Sequence, residues 1–351
     1  MMILKKHWFL VGLLILIPLG ILLGRNDPPE WLPGLVRSVP TSICTGAILF
    51  LMSVTLDSGR LFQSLRKPLP VLLACGVNQL CIPLLCLPLL FLQASPDLRV
   101  GLLISASVPC TMAAASVWTR RAGGNDAVSL LVTLLTNGLC FVVTPLWMSV
   151  GTEWFGTSDA SRGLGFVPMM QRLVLTALLP ALAGQLLRLA PKPKDVVDRN
   201  KPKFSMMAQS IILFLVFVSC FKGGMDFAKN NLGEGLRHTE FLTVWVCCIG
   251  LHVAAMGIVW VLSGVLKLKE SDRRATVIAG SQKTLPIGML VSQATGLPFS
   301  LLPMLMYHAS QLFIDTWVAD RLAARGTPET SAPETSAADN GEEQPGDADS
   351  R

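Results

Sequence analysis

The 351-residue sequence predicts an all-α polytopic membrane protein: ten transmembrane helices in two inverted five-helix repeats, with helices 4 and 9 broken. Three observations predict it. Hydrophobic residues make up 51% and charged residues 15% of the chain, and the mean hydropathy is +0.54, outside the composition of an ordinary water-soluble domain. Apolar windows of the roughly 20 residues that a spanning helix needs tile the chain from His7 to about Ala323. The fourth and ninth windows are each interrupted, in the same relative place, by proline and small or polar residues.

The first half is expected to span near 7 to 24, 38 to 57, 68 to 93, 98 to 119 and 126 to 150. The second half gives 165 to 189, 203 to 222, 240 to 266, 273 to 295 and 298 to 322. Residues 1–325 thus form one ten-helix domain, with repeat one at about 7–150 and repeat two at about 165–322. The N-terminus MMILKKHWFLVGLLILIPLGILLG starts like a signal peptide, but its apolar run is long and no small-residue cleavage site follows, so it reads as an uncleaved first span. The basic, proline-punctuated stretch 188 to 204 reads as the linker between the sixth and seventh spans. Residues 326–351 carry seven acidic residues, one arginine and no large apolar residue, so the tail is expected to be disordered.

With the N-terminus in the cytoplasm, nineteen Lys and Arg fall in inside segments and seven outside. That bias puts both termini in the cytoplasm, and the plasma membrane, or the inner membrane of a bacterium, is the expected location. The nine cysteines lie in apolar windows without CxxC or Cys/His spacing and read as core residues. No phosphate-binding glycine loop, metal-spaced His/Glu set or nucleophile with a base is present, so the sequence reads as no enzyme, without cofactor or nucleic-acid partner.

In the fourth span, GLLISASVPCTMAAASVWTRRAGGND, Pro109 interrupts the apolar run. In the ninth, RRATVIAGSQKTLPIGMLVSQATG, the residues Gln282, Lys283, Thr284 and Pro286 crowd the middle of the membrane. Backbone groups freed inside hydrocarbon persist only where protein or a water-filled cavity satisfies them. Because five is odd, breaks at the fourth position of each half belong to halves facing opposite ways, and paired discontinuous helices point to a transporter's binding site. Lys283 is the one Lys or Arg placed mid-span, where a charge costs at least about 2.5–3.5 kcal/mol.

Ser116, Ser129 and Thr133 place hydroxyls around the first break, with Ser129 and Thr133 one turn apart. Such oxygens suit a hard cation, although membrane hydroxyls also bond back to their own helix or across to another. Asn78 and Gln79 in the third span, and His308 and Gln311 in the tenth, are further polar candidates. His252, Arg172 and Asp315 read as structural, and no buried carboxylate is evident at either crossover.

VPCTMAAASVWTRRAGGND (108 to 126), GSQKTLPIGM (280 to 289) and YHASQ (307 to 311) resemble a known family. It is the bile acid:sodium symporter superfamily, in the branch with the seventh member of human solute carrier family ten and the fungal regulator of calcium homeostasis. The resemblance implies a panel domain and a core domain, with the fourth and ninth helices crossing at the site. It implies one sodium site on Ser116, Ser129 and Thr133, and a second using glutamines that match Gln282 and Gln79. The symporters' ninth-helix glutamate and asparagine are here Ile278 and Lys283, so the second sodium site is expected to be lost, with Lys283 in the ion's place. The expected function is secondary transport of a small organic anion coupled to sodium or protons. A cation/proton antiporter and a non-transporting regulator of calcium homeostasis are the alternatives. The small-residue faces serve internal packing as readily as a dimer, so no oligomeric state is assigned.

Overall fold

The computed structural model describes residues 8–26, 28–56, 68–112, 114–154, 165–229 and 238–326. The expected inside charges Lys5, Lys6, Arg60, Arg66 and Lys67, and the acidic tail beyond Gly326, lie outside the described residues. Every regular element among the described residues is helical and none is a strand.

The first five expected spans correspond to α1 (Trp8–Arg25), α3 (Thr41–Val54), α4 (Pro68–Leu92), the broken pair α5 (Pro96–Ser107) and α6 (Ala114–Arg121), and α7 (Asp126–Trp154). A short helix that the sequence reading did not anticipate, α2 (Trp31–Ser38), meets α3 at a bend of 53°. The second five correspond to α8 (Phe166–Leu187), α9 (Pro191–Lys229), α10 (His238–Val265), the broken pair α11 (Glu270–Ser281) and α12 (Leu285–Thr295), and α13 (Leu302–Ala324).

The expected linker at 188 to 204 is corrected: α9 starts at Pro191, and the chain leaves helical geometry only at Asn200 (φ −117°, ψ 16°). Proline at a helix start loses no hydrogen bond, whereas the internal Pro202 cannot donate and crowds the turn before it, which accounts for a kink rather than a break.

Among the described residues, α4, α7, α8, α9 and α10 are long and apolar enough to cross a membrane, and the bent pair α2–α3 makes a sixth. The half-helices α5, α6, α11 and α12 have 8 to 12 residues. At about 1.5 Å per residue each reaches roughly 12–18 Å, short of the roughly 30 Å hydrocarbon core.

The helices pack in two groups. α1 lies along α9, and α3 along α8 and α9, while α4, α5, α7, α10, α11 and α13 pack around the two breaks. α12 meets α3, and α7 meets α8, where the groups touch. The α1–α9 contact is close because both helices present glycine: a side chain on Gly24 would run into the Phe221 carbonyl, and one on Gly224 into that of Ile21.

Candidate functional site

α5 ends at Ser107 because Pro109 disfavours helical geometry in the residue before it, and Val108 is accordingly extended (φ −67°, ψ 156°). The second break is likewise extended at Gln282 (φ −75°, ψ 146°) and at Thr284 (φ −90°, ψ 126°), after which Pro286 sits in the first turn of α12. The two unwound segments touch directly, the Thr284 N–H donating to the Pro109 carbonyl at 2.9 Å.

Many of the carbonyls freed by these breaks have side-chain partners, several of them on the helix that follows each broken pair. On α7, Thr133 donates to Thr111 O (3.0 Å), Asn137 to Cys110 O (2.9 Å) and Thr144 to Ser107 O (3.0 Å). On α13, the Tyr307 hydroxyl donates to Ser281 O and the Gln311 amide to Lys283 O, each at 2.9 Å, while Gln311 Oε1 accepts the Lys283 N–H. Thr133 with Asn137, and Tyr307 with Gln311, are both i,i+4 pairs, so a single helical face covers each break.

Asn78 joins the third span to the crossing. α4 contains a π-helical turn, Val77–Cys81, just ahead of Pro83. The proline cannot donate to the Gln79 carbonyl four residues back, and the Trp147 indole N–H takes its place at 2.8 Å. The Asn78 amide donates to Gln282 O (2.8 Å) and Gly280 O (3.3 Å).

Lys283 is 0% exposed. Its Nζ lies 2.6 Å from Asn78 O, 2.9 Å from Val108 O and 3.3 Å from Asn78 Oδ1. Three oxygen acceptors match the three hydrogens of an ammonium, and Val108 O lies at the negative end of the α5 dipole. The hydrogens of this side chain are thus taken up by protein oxygens.

The expectation that no buried carboxylate lies at a crossover is corrected. Asp315 and His252 are both 0% exposed. Asp315 Oδ2 accepts from Gln282 Nε2 at 2.5 Å, and Oδ1 lies 3.0 Å from His252 Nε2. Gln282 Oε1 accepts from the Thr111 hydroxyl at 2.7 Å, so both ends of this amide are engaged. The sequence signal for Asp315 was its register: Tyr307, Gln311 and Asp315 recur every four residues on one face of α13.

The three hydroxyls expected around the first break are buried but have separate partners. Ser116 accepts from Arg120 (3.0 Å), Ser129 pairs with Thr119 (2.6 Å), and Thr133 donates to Thr111 O. His308 Nδ1 pairs with Gln311 (2.8 Å), and its ring meets Phe9 of α1 edge-on. Arg172, on α8, is not brought to the crossing. Four buried amide oxygens among the described residues have no hydrogen-bond partner, and two of them, Gln79 Oε1 and Asn137 Oδ1, belong to side chains whose NH₂ groups bond to the first break or to α7 beside it. Among the described residues no group of three His, Cys, Asp or Glu could hold a metal ion.

Residues 7–324 match the model of the SBF-like CPA transporter family. Sodium/bile acid cotransporter 7 of Danio rerio is 25% identical over 339 residues, covering 90% of this chain and 96% of the relative. Its namesake from Rattus norvegicus is 24% identical over 326 residues, covering 88% and 90%. A protein of Arabidopsis thaliana named "Probable sodium/metabolite cotransporter BASS4, chloroplastic" is 26% identical over 258 residues, covering 68% of this chain and 56% of its own.

Proposed function

Because the chain belongs to the SBF-like CPA transporter family, a family of transporters and not of enzymes, we propose that it moves a small organic anion, coupled to sodium or protons, by alternating access. The observation that carries the reading is the direct contact of two unwound segments, through Thr284 and Pro109, in a centre lined by Gln79, Asn78, Gln282 and Lys283. Discontinuous helices at matching places in two halves are where transporters bind cargo and coupling ions. We read the chain as ten spans in two inverted repeats, α5–α6 and α11–α12 each crossing as a broken pair, in the plasma membrane with both termini cytoplasmic. The α1, α3, α8 and α9 group is the panel, and the group around the breaks is the core.

The cargo class follows from the names of the relatives, a bile acid and a metabolite cotransporter. Lys283 supports loss of the second cation site, because its ammonium occupies a cage of carbonyl oxygens of the kind that holds a sodium ion. The unpartnered oxygens of Gln79 and Asn137, with the lone pairs of the Thr133 hydroxyl whose hydrogen goes to Thr111 O, are left for a coupling ion or for a donor group of the cargo. A buried carboxylate, Asp315, favours cation/proton antiport as the second reading.

The test is thermal stability of the purified protein in potassium against sodium, across a pH series and with organic anions including taurocholate. Ligand binding appears as an upward shift. A sodium-specific shift that is lost in Thr133→Val supports sodium symport. A pH response without any sodium response supports proton coupling, and a protein that still moves anion unchanged as Lys283→Met sinks the role given to the lysine.

A further inference from the structure

Hydrogen-bond geometry around His252 and Asp315 fixes where hydrogens lie. His252 Nδ1 is 3.1 Å from the Ser281 carbonyl, which can only accept, so Nδ1 carries a hydrogen. The Ala115 N–H donates to Thr111 Oγ1 (3.0 Å), which leaves the Thr111 hydrogen for Gln282 Oε1 and directs the Gln282 NH₂ at Asp315 Oδ2. The 3.0 Å contact between His252 Nε2 and Asp315 Oδ1 therefore needs one proton, whether it is written as imidazolium with carboxylate or as imidazole with carboxylic acid. Without it, two lone pairs face each other at that distance inside protein.

We infer that the His252–Asp315 pair binds a single exchangeable proton, held in register with the crossover through Gln282 and Ser281, and that this proton is the coupling ion; the inference rests on the transporter reading above. Both residues contact the second break, His252 at the Ser281 carbonyl and Asp315 at the Gln282 side chain, so losing the proton loosens the segment that also carries Lys283. The charge count gives the direction of coupling. With the ammonium of Lys283 present, the centre holds one positive charge when the pair is protonated and none when it is not. An anion at the centre favours the protonated state, so proton and anion travel together.

The other titratable groups facing the pair are few. Lys283 is on the adjoining segment, and Tyr307 on α13 packs edge-on against the His252 ring at 5.6 Å. Cys248 of α10, Cys86 of α4 and Cys110 of the first break lie within electrostatic range of Tyr307 or Asp315. His308 of α13 is engaged by Gln311. Asp272 and Arg274 begin α11 and so stand at its far end from the break, where Arg274 donates to the Ala122 carbonyl. Arg121 of α6 pairs with Asp320.

The full-length protein is melted between pH 5 and pH 9 in sodium-free potassium buffer. Wild type is expected to melt about 1–4 °C lower at the alkaline end, the loss of roughly one buried hydrogen bond in a chain of this size. His252→Gln keeps a donor that does not titrate, and Asp315→Asn removes the acid. Either variant is expected to flatten the profile, and either alone suffices if the other fails to fold. A flat wild-type profile, or a folded variant that follows the wild-type curve, overturns the inference. In pyranine-loaded vesicles, inward movement of taurocholate is expected to acidify the lumen for wild type and not for His252→Gln, and taurocholate entry without acidification in wild type overturns the coupling. If taurocholate does not enter while the melting difference holds, the cargo reading fails and the proton site stands.

Discussion

Lys283 fills a cage of protein oxygens with its own side chain. Its Nζ is held by the main-chain oxygens of Val108 and Asn78 and by the Asn78 side chain, a set of neutral dipoles that would also receive an alkali cation. Truncating the side chain leaves those oxygens buried without a donor, at about 1–3 kcal/mol for each group left unsatisfied. Lys283→Ala should therefore melt lower than wild type in potassium and recover part of the loss in sodium, a response larger than any that wild type shows. Melting curves of the two proteins in matched sodium and potassium buffers check it; a loss that sodium leaves untouched would mean that the cage is built for the ammonium alone.

Among the elements, α7 and α13 act as covers for the two breaks. Gln311 illustrates the dependence, since its amide meets both the N–H and the carbonyl of Lys283. Gln311→Leu keeps the volume and removes both bonds, and it is expected to cost about 2–4 kcal/mol, read as a lower melting temperature, whereas Gln311→Leu melting like wild type would show that the break holds itself. The breaks themselves were legible in the sequence. Pro109 and the run from Gln282 to Pro286 stand out against apolar surroundings, and proline has a fixed effect on the residue before it. The meeting of Asp315, His252 and Gln282 was not legible, because it depends on which faces of α10, α11 and α13 turn towards one another, and hydropathy carries no such information. The helix from Pro191 was missed for a related reason, since basic residues and prolines read as a linker although α9 tolerates both at its exposed start.

At the scale of the molecule, two groups of helices meet along a seam where Cys220 of α9 lines a small cavity together with Pro298 and Leu302. Cys220 is buried there. In a variant that keeps Cys220 as its one cysteine, maleimide labelling should be slow at rest and several-fold faster under an imposed ion gradient, if the groups slide past each other as transport proposes. A rate that no gradient alters would place the moving surface elsewhere. The pairing of α1 with α9 was not legible in the sequence, because it is set by glycines such as Gly24 and Gly224 that leave no mark in an apolar average. The ammonium of Lys283 has one more consequence, in the energetics of accumulation. Every dissociable cation carried inward adds its own gradient, plus about 2.3 kcal/mol per 100 mV of membrane potential, to the force that concentrates cargo. A cation attached through its side chain stays with the protein on both sides of the cycle and adds nothing. On the transport reading proposed above, a protein whose ion position is filled in this way concentrates cargo less steeply than one that moves a further ion through that position.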